Sequence, residues 1–261
     1  MQTAEGFYYT DTLGGSSDDP IVLIHGIGGN HGIWPASMRT IPHRRILAID
    51  LPGHGKSEGN ACRSVEEYAS NLDAYLRSAR IYRAIFVGYS LGGQIALQYS
   101  LDHPQQCVGL GLIAFGCETY VPSELFDLLG DSRAVQAVTR LTRLLFFAPH
   151  HSLNHMIEME KKLFSARKST LVADWKAFSA YTCPDLTGQV AEVPIWLYRA
   201  EKDRLISSSG QRLLMFRRSN TVSIFKDHCG HGILAEQPEE VSNSFLLWLT
   251  GLKPNRSQER V

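Results

Sequence analysis

Short runs of apolar, often β-branched residues alternate along this chain with stretches of helical periodicity. Residues 21–24, 46–49, 84–87, 108–115, 195–198 and 222–225 are apolar runs of strand length. Runs that are apolar on both faces suit strands buried inside a parallel sheet. A weaker signal over residues 6–12 suggests an edge strand, and the Gly- and Ser-rich residues 14–20 read as a turn. Between the runs lie helix signals. Ser64-Val65-Glu66-Glu67 has the form of a capping box, after which Val65, Tyr68, Ala69, Leu72 and Leu76 recur at helical spacing. Residues 94–100 read as a helix that stops before Pro104. Residues 210–217 read as another, and Pro238-Glu239-Glu240 opens a last one, with proline and acids where a helix start favours them. Strand, helix, strand, helix, strand in this order predicts right-handed crossovers and a parallel sheet.

The alternation lapses over residues 118–188. That stretch reads as several helices, for example 133–147 and 153–166, and carries many large apolar residues, among them Phe126, Phe146, Phe147, Trp175 and Phe178. The organisation expected is a core of residues 1–117 and 189–261, interrupted by a helical insertion over 118–188. Residues 253–261 form a polar tail.

Composition narrows the functional classes. A chain of 261 residues suits one α/β domain with an insertion. Formal net charge is zero, which gives no electrostatic case for nucleic acid or an anionic membrane as partner. Five scattered cysteines, an odd number without a C-x-x-C pair, predict no disulfide framework and a reducing compartment. Residues 1–19 lack a basic start and an apolar segment, and the longest apolar stretch, 108–117, is too short to span a bilayer. A cytoplasmic protein with no membrane partner is the expectation.

The candidate chemistry centres on Gly88-Tyr89-Ser90-Leu91-Gly92-Gly93, lying between a strand and a helix. A serine forced into a sharp strand-to-helix turn needs neighbours without bulk, and the pattern has the form of a nucleophile elbow. Serine also needs a base, a group to orient that base, and donors for an oxyanion. Ligands of open α/β sheets sit at the carboxyl ends of strands, so these partners are sought just after strands. Asp203 follows the run 195–198 and His231 follows 222–225, in the order Ser, acid, His. His228 competes with His231, and Asp227, Glu201 and Glu118 compete with Asp203.

His25-Gly26, Asp50-Leu51-Pro52-Gly53-His54-Gly55-Lys56-Ser57, Gly88-Tyr89-Ser90-Leu91-Gly92-Gly93, Glu201-Lys202-Asp203 and Gly230-His231 together resemble the α/β-hydrolase superfamily, in particular its small bacterial capped carboxylesterase and lactonase type. The resemblance runs from about residue 21 to 249. It implies an α/β-hydrolase fold, a mostly parallel central sheet with helices on both faces and a helical cap over 118–188. It further implies Ser90 as nucleophile, His231 as general base and then acid, and Asp203 as the group orienting His231. The backbone N–H groups of Ile27 and Leu91 would form the oxyanion hole, and Phe126, Phe146, Phe147, Trp175 and Phe178 are candidates to line the pocket.

Other polar residues in glycine-bearing loops have plainer explanations. His25 and His54 read as loop braces. His151 and His155 have i, i+4 spacing beside His150, but no third ligand is evident, so no metal and no cofactor is expected. The Gly26–Gly29 loop lacks the Gly-Lys-Ser/Thr ending of a phosphate cradle. The activity expected is hydrolysis of a carboxylic ester, thioester or lactone of a small to medium, largely apolar molecule. The alternatives are a carbon–carbon bond hydrolase or a lyase or synthase of the menaquinone-pathway type using the same triad, and a non-catalytic ligand receptor. The synthase type tends to carry arginine where this chain has Gln94, and an anionic substrate would want that charge.

Overall fold

Apolar strand runs end where polar or glycine-bearing loops begin, and that punctuation sets the frame of the computed structural model, which describes residues 6–12, 18–183, 193–206 and 221–252. Most of the turn at 14–20, the helix expected at 210–217, the boundary at 188/189 and the tail 253–261 lie outside the described residues. The strands are β1 (Tyr8–Asp11), β2 (Ile21–Ile24), β3 (Ile46–Asp50), β4 (Ala84–Tyr89), β5 (Cys107–Ile113), β6 (Ile195–Ala200) and β7 (Thr221–Lys226). They form one sheet in the order β1-β3-β2-β4-β5-β6-β7. Only β1 runs antiparallel, against β3; every other pairing is parallel. Strands β2, β3 and β4 are buried along their whole length, as their two-sided apolar runs require.

The helices are α1 (Ala36–Arg39), α2 (Val65–Ser78), α3 (Leu91–Asp102), α4 (Ser123–Gly130), α5 (Val135–Phe146), α6 (Leu153–Leu163), α7 (Lys168–Ala180), α8 (Ile233–Glu236) and α9 (Pro238–Gly251). Alternating side chains on the strands meet different helices. Phe86 packs on Tyr99 of α3, with ring centroids 4.8 Å apart. On β6, Trp196 stacks on Trp248 of α9 at 6.2 Å and donates from Nε1 to Ser244 Oγ at 3.0 Å. Helix α2 starts at the expected cap, Ser64 Oγ accepting the Glu67 N–H at 3.2 Å. The reciprocal bond of the box is displaced by one residue, because Glu67 Oε2 takes the Arg63 N–H at 2.7 Å.

Among the described residues, four helices, α4 to α7, lie between β5 and β6. The structure corrects one expectation here: Cys117 and Cys183 form a disulfide. They sit just after β5 and just after α7, at the two ends of the inserted helices. No spacing rule could pair them, because they stand 66 residues apart. The cysteine-based reason for a reducing compartment is therefore withdrawn. Cys62, Cys107 and Cys229 are free and buried.

Closing a loop of 66 residues restricts the unfolded chain by about 4 kcal/mol in the loop-entropy view. For a chain of this size, Cys117→Ser with Cys183→Ser is expected to lower the thermal midpoint by roughly 10 °C. Calorimetry checks this, and an unchanged midpoint would remove the disulfide from the account of stability. No helix among the described residues is long and apolar enough to cross a membrane.

Candidate active site

Ser90 stands between β4 and α3 with φ +55 and ψ −118. Non-glycine residues seldom adopt this conformation, and it persists only where the surroundings hold it. Here the Ser90 N–H donates to the Ile113 carbonyl at 2.9 Å, and its own carbonyl accepts the Gly93 N–H at 2.8 Å. Glycines allow the close approach. A Cβ on Gly88 would land on the Gly92 carbonyl, and one on Gly92 would land on the carbonyls of Ile24 and His25. The first turn of α3 thus abuts the ends of β4 and β2.

Two further strand ends converge on the serine. His231 Nε2 lies 2.7 Å from Ser90 Oγ, and His231 Nδ1 lies 2.8 Å from Asp203 Oδ2. A carboxylate facing Nδ1 keeps the proton of the neutral ring there and leaves Nε2 to accept the serine proton. Asp203 is itself aimed by its own loop, Oδ1 accepting the N–H groups of Leu205 at 2.9 Å and Ile206 at 3.0 Å. The competing residues are not in this chain of hydrogen bonds. His228, Asp227, Glu201 and Glu118 are all exposed.

His231 is buried, and its surroundings come largely from the inserted helices. Its ring meets the edge of Phe146 at 4.8 Å between centroids and Phe178 at 6.2 Å. Trp175 touches both, at 6.0 Å from Phe146 and 6.1 Å from Phe178. Phe147 packs against Gly232 instead. Phe126 is partly buried, and no ring contact among the described residues joins it to this group. Two residues to whose side chains the sequence assigned no role hold the histidine loop. Tyr89 donates its hydroxyl to the His231 carbonyl at 3.0 Å. Glu236 accepts the Gly230 N–H at 2.9 Å and the Ala148 N–H at 3.2 Å, and it also receives His151 Nε2 at 2.7 Å.

The loop on the other side of Ser90 is a tight turn, the Gly29 N–H reaching the Gly26 carbonyl at 3.1 Å. A Cβ on Gly26 would sit 3.1 Å from Ser90 Cβ, so this turn lies directly against the serine. His25 and His54 brace it, as expected, and their partners fix their charge states. His25 Nδ1 faces the Gly26 carbonyl at 2.8 Å and Nε2 accepts the Leu51 N–H at 3.1 Å, which suits the neutral ring. Burial, with the charge of neighbouring His54, holds its pKa well below the ordinary value. His54 has acceptors on both nitrogens, the Pro52 carbonyl at 3.0 Å and Asp174 Oδ2 at 2.7 Å, which suits the imidazolium. Burial opposes that charge, but the hydrogen bond to Asp174 and its carboxylate charge outweigh it, and the pKa is raised.

A raised histidine pKa stabilises the fold below the unfolded value of about 6.5 and ceases to do so as pH climbs through the folded value. The stability lost in His54→Gln is accordingly expected to be larger near about pH 5.5 than near about pH 9. Urea unfolding at the two pH values measures it, and the opposite trend would exclude the imidazolium.

Asp174 was not foreseen. It lies on the buried face of α7 between Leu171 and Phe178, and a carboxylate on such an apolar stripe is the one signal that could have found it. Among the described residues no group of three or more His, Cys, Asp or Glu is arranged to hold a metal ion. A cavity of about 390 Å³ beside Pro52, Asn60, Cys62 and Asn71 contains none of Ser90, Asp203 or His231. Burial pushes its one thiol, Cys62, up to about 12, so it offers no nucleophile there.

Comparison with known proteins bears on the family and the fold. The model of the alpha/beta hydrolase family matches residues 21–243. A pimeloyl-[acyl-carrier protein] methyl ester esterase of Yersinia enterocolitica is 39% identical over 97 residues, 37% of this chain and 36% of that protein. A 2-succinyl-6-hydroxy-2,4-cyclohexadiene-1-carboxylate synthase of Serratia proteamaculans is 39% identical over 87 residues, 33% of this chain and 34% of that protein. The chain thus spans about a third of the length of these two relatives. A thermophilic esterase from Thermogutta terrifontis superposes with a TM-score of 0.78 over 94% of this chain and 93% of its own, at 18% identity, a likeness of fold.

Proposed function

This chain belongs to the alpha/beta hydrolase family, and from that premise we propose that it is a serine hydrolase cleaving carboxylic ester, thioester or lactone bonds. The observation that carries the proposal is the hydrogen-bonded line from Ser90 Oγ through His231 to Asp203, with spacings of 2.7 and 2.8 Å. Ser90 Oγ attacks the acyl carbon while His231 Nε2 takes its proton. The leaving alcohol or thiol departs with that proton, and Ser90 keeps the acyl group. Water then attacks the acyl-enzyme with His231 as base again, and the acid leaves as Ser90 recovers its proton. Asp203 orients His231 and stabilises its charged form. The N–H groups of Ile27 and Leu91 take the oxyanion; losing one such donor costs about 3 kcal/mol. Helices α4 to α7 act as a cap over this site. The aromatic wall of Phe146, Trp175 and Phe178 favours a small to medium, largely apolar substrate.

A fluorophosphonate tests the proposal. The wild type is expected to be labelled and Ser90→Ala to remain unlabelled, while p-nitrophenyl esters of graded chain length show an optimum that sizes the pocket. Equal labelling of the two proteins would sink it. The synthase among the relatives keeps a second reading in view, in which the same three residues act on a carbon–carbon bond. Gln94 brings no charge for an anionic substrate, and its Nε2 donates to the Phe178 carbonyl at 3.3 Å. Turnover of a vinylogous diketone acid without turnover of any aryl ester would favour that reading.

A further inference from the structure

We propose that Asp174 is a positioning residue for the oxyanion hole, so that the hole is complete only while α7 is seated on the core. The inference rests on the acyl-transfer role proposed for Ser90 and concerns what holds the neighbouring turn. In the turn from Gly26 to Gly29, Gly28 occupies the third position with φ +63. That sign is what a type II turn demands there. A type II turn converts to type I by rotating its central peptide, here Ile27–Gly28, with little movement at the ends. Gly28 φ would then pass to about −90°. That rotation changes ψ of Ile27 and φ of Gly28, so the bond made by the Gly28 N–H fixes one side of the residue whose N–H is proposed to take the oxyanion.

Both peptide groups of Gly28 are held by the inserted helices. Its N–H donates to Asp174 Oδ2 at 2.8 Å. Its carbonyl accepts the N–H groups of Ser165 at 2.8 Å and Ala166 at 3.0 Å, from the segment between α6 and α7. Asn30, at the end of the same loop, donates from Nδ2 to Ser165 Oγ at 2.6 Å. Leu171 fills the space where a Gly28 side chain would stand. No core residue supplies these bonds to Gly28 among the described residues.

Asp174 is fully buried, and the core orients it in turn. Oδ1 accepts the Tyr68 hydroxyl at 2.6 Å, and Oδ2 accepts His54 Nε2 at 2.7 Å besides the Gly28 N–H. A buried carboxylate is tolerated only with such donors around it. Tyr68 and His54 aim the carboxylate from the core, and the carboxylate aims Gly28 from the cap. If α7 lifts together with the segment before it, Gly28 loses its bonds to Asp174, Ser165 and Ala166.

The test compares Asp174→Ala, Asp174→Asn and Tyr68→Phe with the wild type. Turnover of a p-nitrophenyl ester is normalised to sites titrated with a fluorophosphonate, so that only folded protein counts. Asp174→Ala is expected to lower kcat by about 10- to 100-fold, with KM within about twofold. Affinity for a trifluoromethyl ketone, whose hemiketal carries an oxyanion, should fall by the same factor as kcat. Asp174→Asn retains one acceptor for the Gly28 N–H and should recover most of kcat. Tyr68→Phe removes one of the two core bonds that aim the carboxylate but leaves the His54 and Gly28 bonds to Oδ2, so its thermal midpoint should fall and its kcat loss should be several-fold smaller than that of Asp174→Ala. Wild-type kcat in Asp174→Ala, or a kcat loss in Tyr68→Phe equal to that of Asp174→Ala, would overturn the proposal. Should Asp174→Ala not fold, Ser165→Pro replaces it, since Ser165 is exposed and the change deletes one donor to Gly28. A kcat decrease of about fivefold at constant KM is then expected, and unchanged kcat would overturn the proposal. Ser90→Ala run in parallel keeps the two levels apart: hydrolysis by that variant at the wild-type rate would refute the site itself.

Discussion

His231→Ala is expected to lower kcat for an activated ester by about 10⁶-fold, and Asp203→Asn by about 10⁴-fold, with KM little changed in either. The asymmetry follows from the geometry. His231 Nε2 is the atom 2.7 Å from the serine oxygen, and without it the hydroxyl has no base. Asp203 acts at one remove, through the 2.8 Å contact with Nδ1. An amide there can present its NH₂ to the ring and favour the wrong tautomer, which leaves Nε2 protonated. Combining the two changes should cost little more than His231→Ala alone, because the residues act as one unit. Steady-state kinetics on the three variants measures this. A multiplicative loss in the double variant would mean that Asp203 acts independently of His231.

Gly88→Ala and Gly92→Ala are each expected to destabilise the fold by more than about 4 kcal/mol. The added Cβ at Gly88 meets the backbone of Gly92 and Gly93, and at Gly92 it meets the carbonyls of Ile24 and His25. Backbone atoms cannot rotate away as a side chain does, so either strand β4 separates from helix α3 or the elbow opens. Both outcomes remove the seat of Ser90. Gly59→Ala provides the contrast: unlike Gly88 and Gly92 it has a positive φ, +81, but a Cβ there meets nothing within 4 Å, so only backbone strain is at stake. Denaturant unfolding of the three variants checks the ranking. A loss below about 1 kcal/mol at Gly88 or Gly92 would show that the close packing of the elbow is not what stabilises it.

Much of this was legible because it is written locally. Strand runs such as residues 21–24 and 46–49 are apolar on both faces, and only a sheet covered on both sides satisfies that. The helix after Ser90 begins one residue on, at Leu91, earlier than periodicity alone places it, because Gly92 and Gly93 have no side chains to register in a pattern. The contacts that hold the site together were another matter. Tyr89 reaches His231 across 142 residues of chain. Asp174 reaches Gly28 across 146, and Glu236 reaches Ala148 across 88. The Cys117–Cys183 disulfide was read wrongly for the same reason, since its partners lack any spacing signature.

By itself, then, the amino-acid sequence determined the order of strands and helices, the elbow around Ser90, and the positions of Asp203 and His231 at the ends of later strands. Those features follow from side-chain periodicity, glycine at points of close approach, and the rule that parallel strands carry their sites at one end. Only the tertiary structure decided that α7 delivers Asp174 to the Gly26–Gly29 turn, that Phe146 and Phe178 flank His231, and that the ends of the insertion are joined covalently. Those outcomes depend on how separate helices seat on the sheet, and seating is a property of packed surfaces that no short stretch of residues encodes.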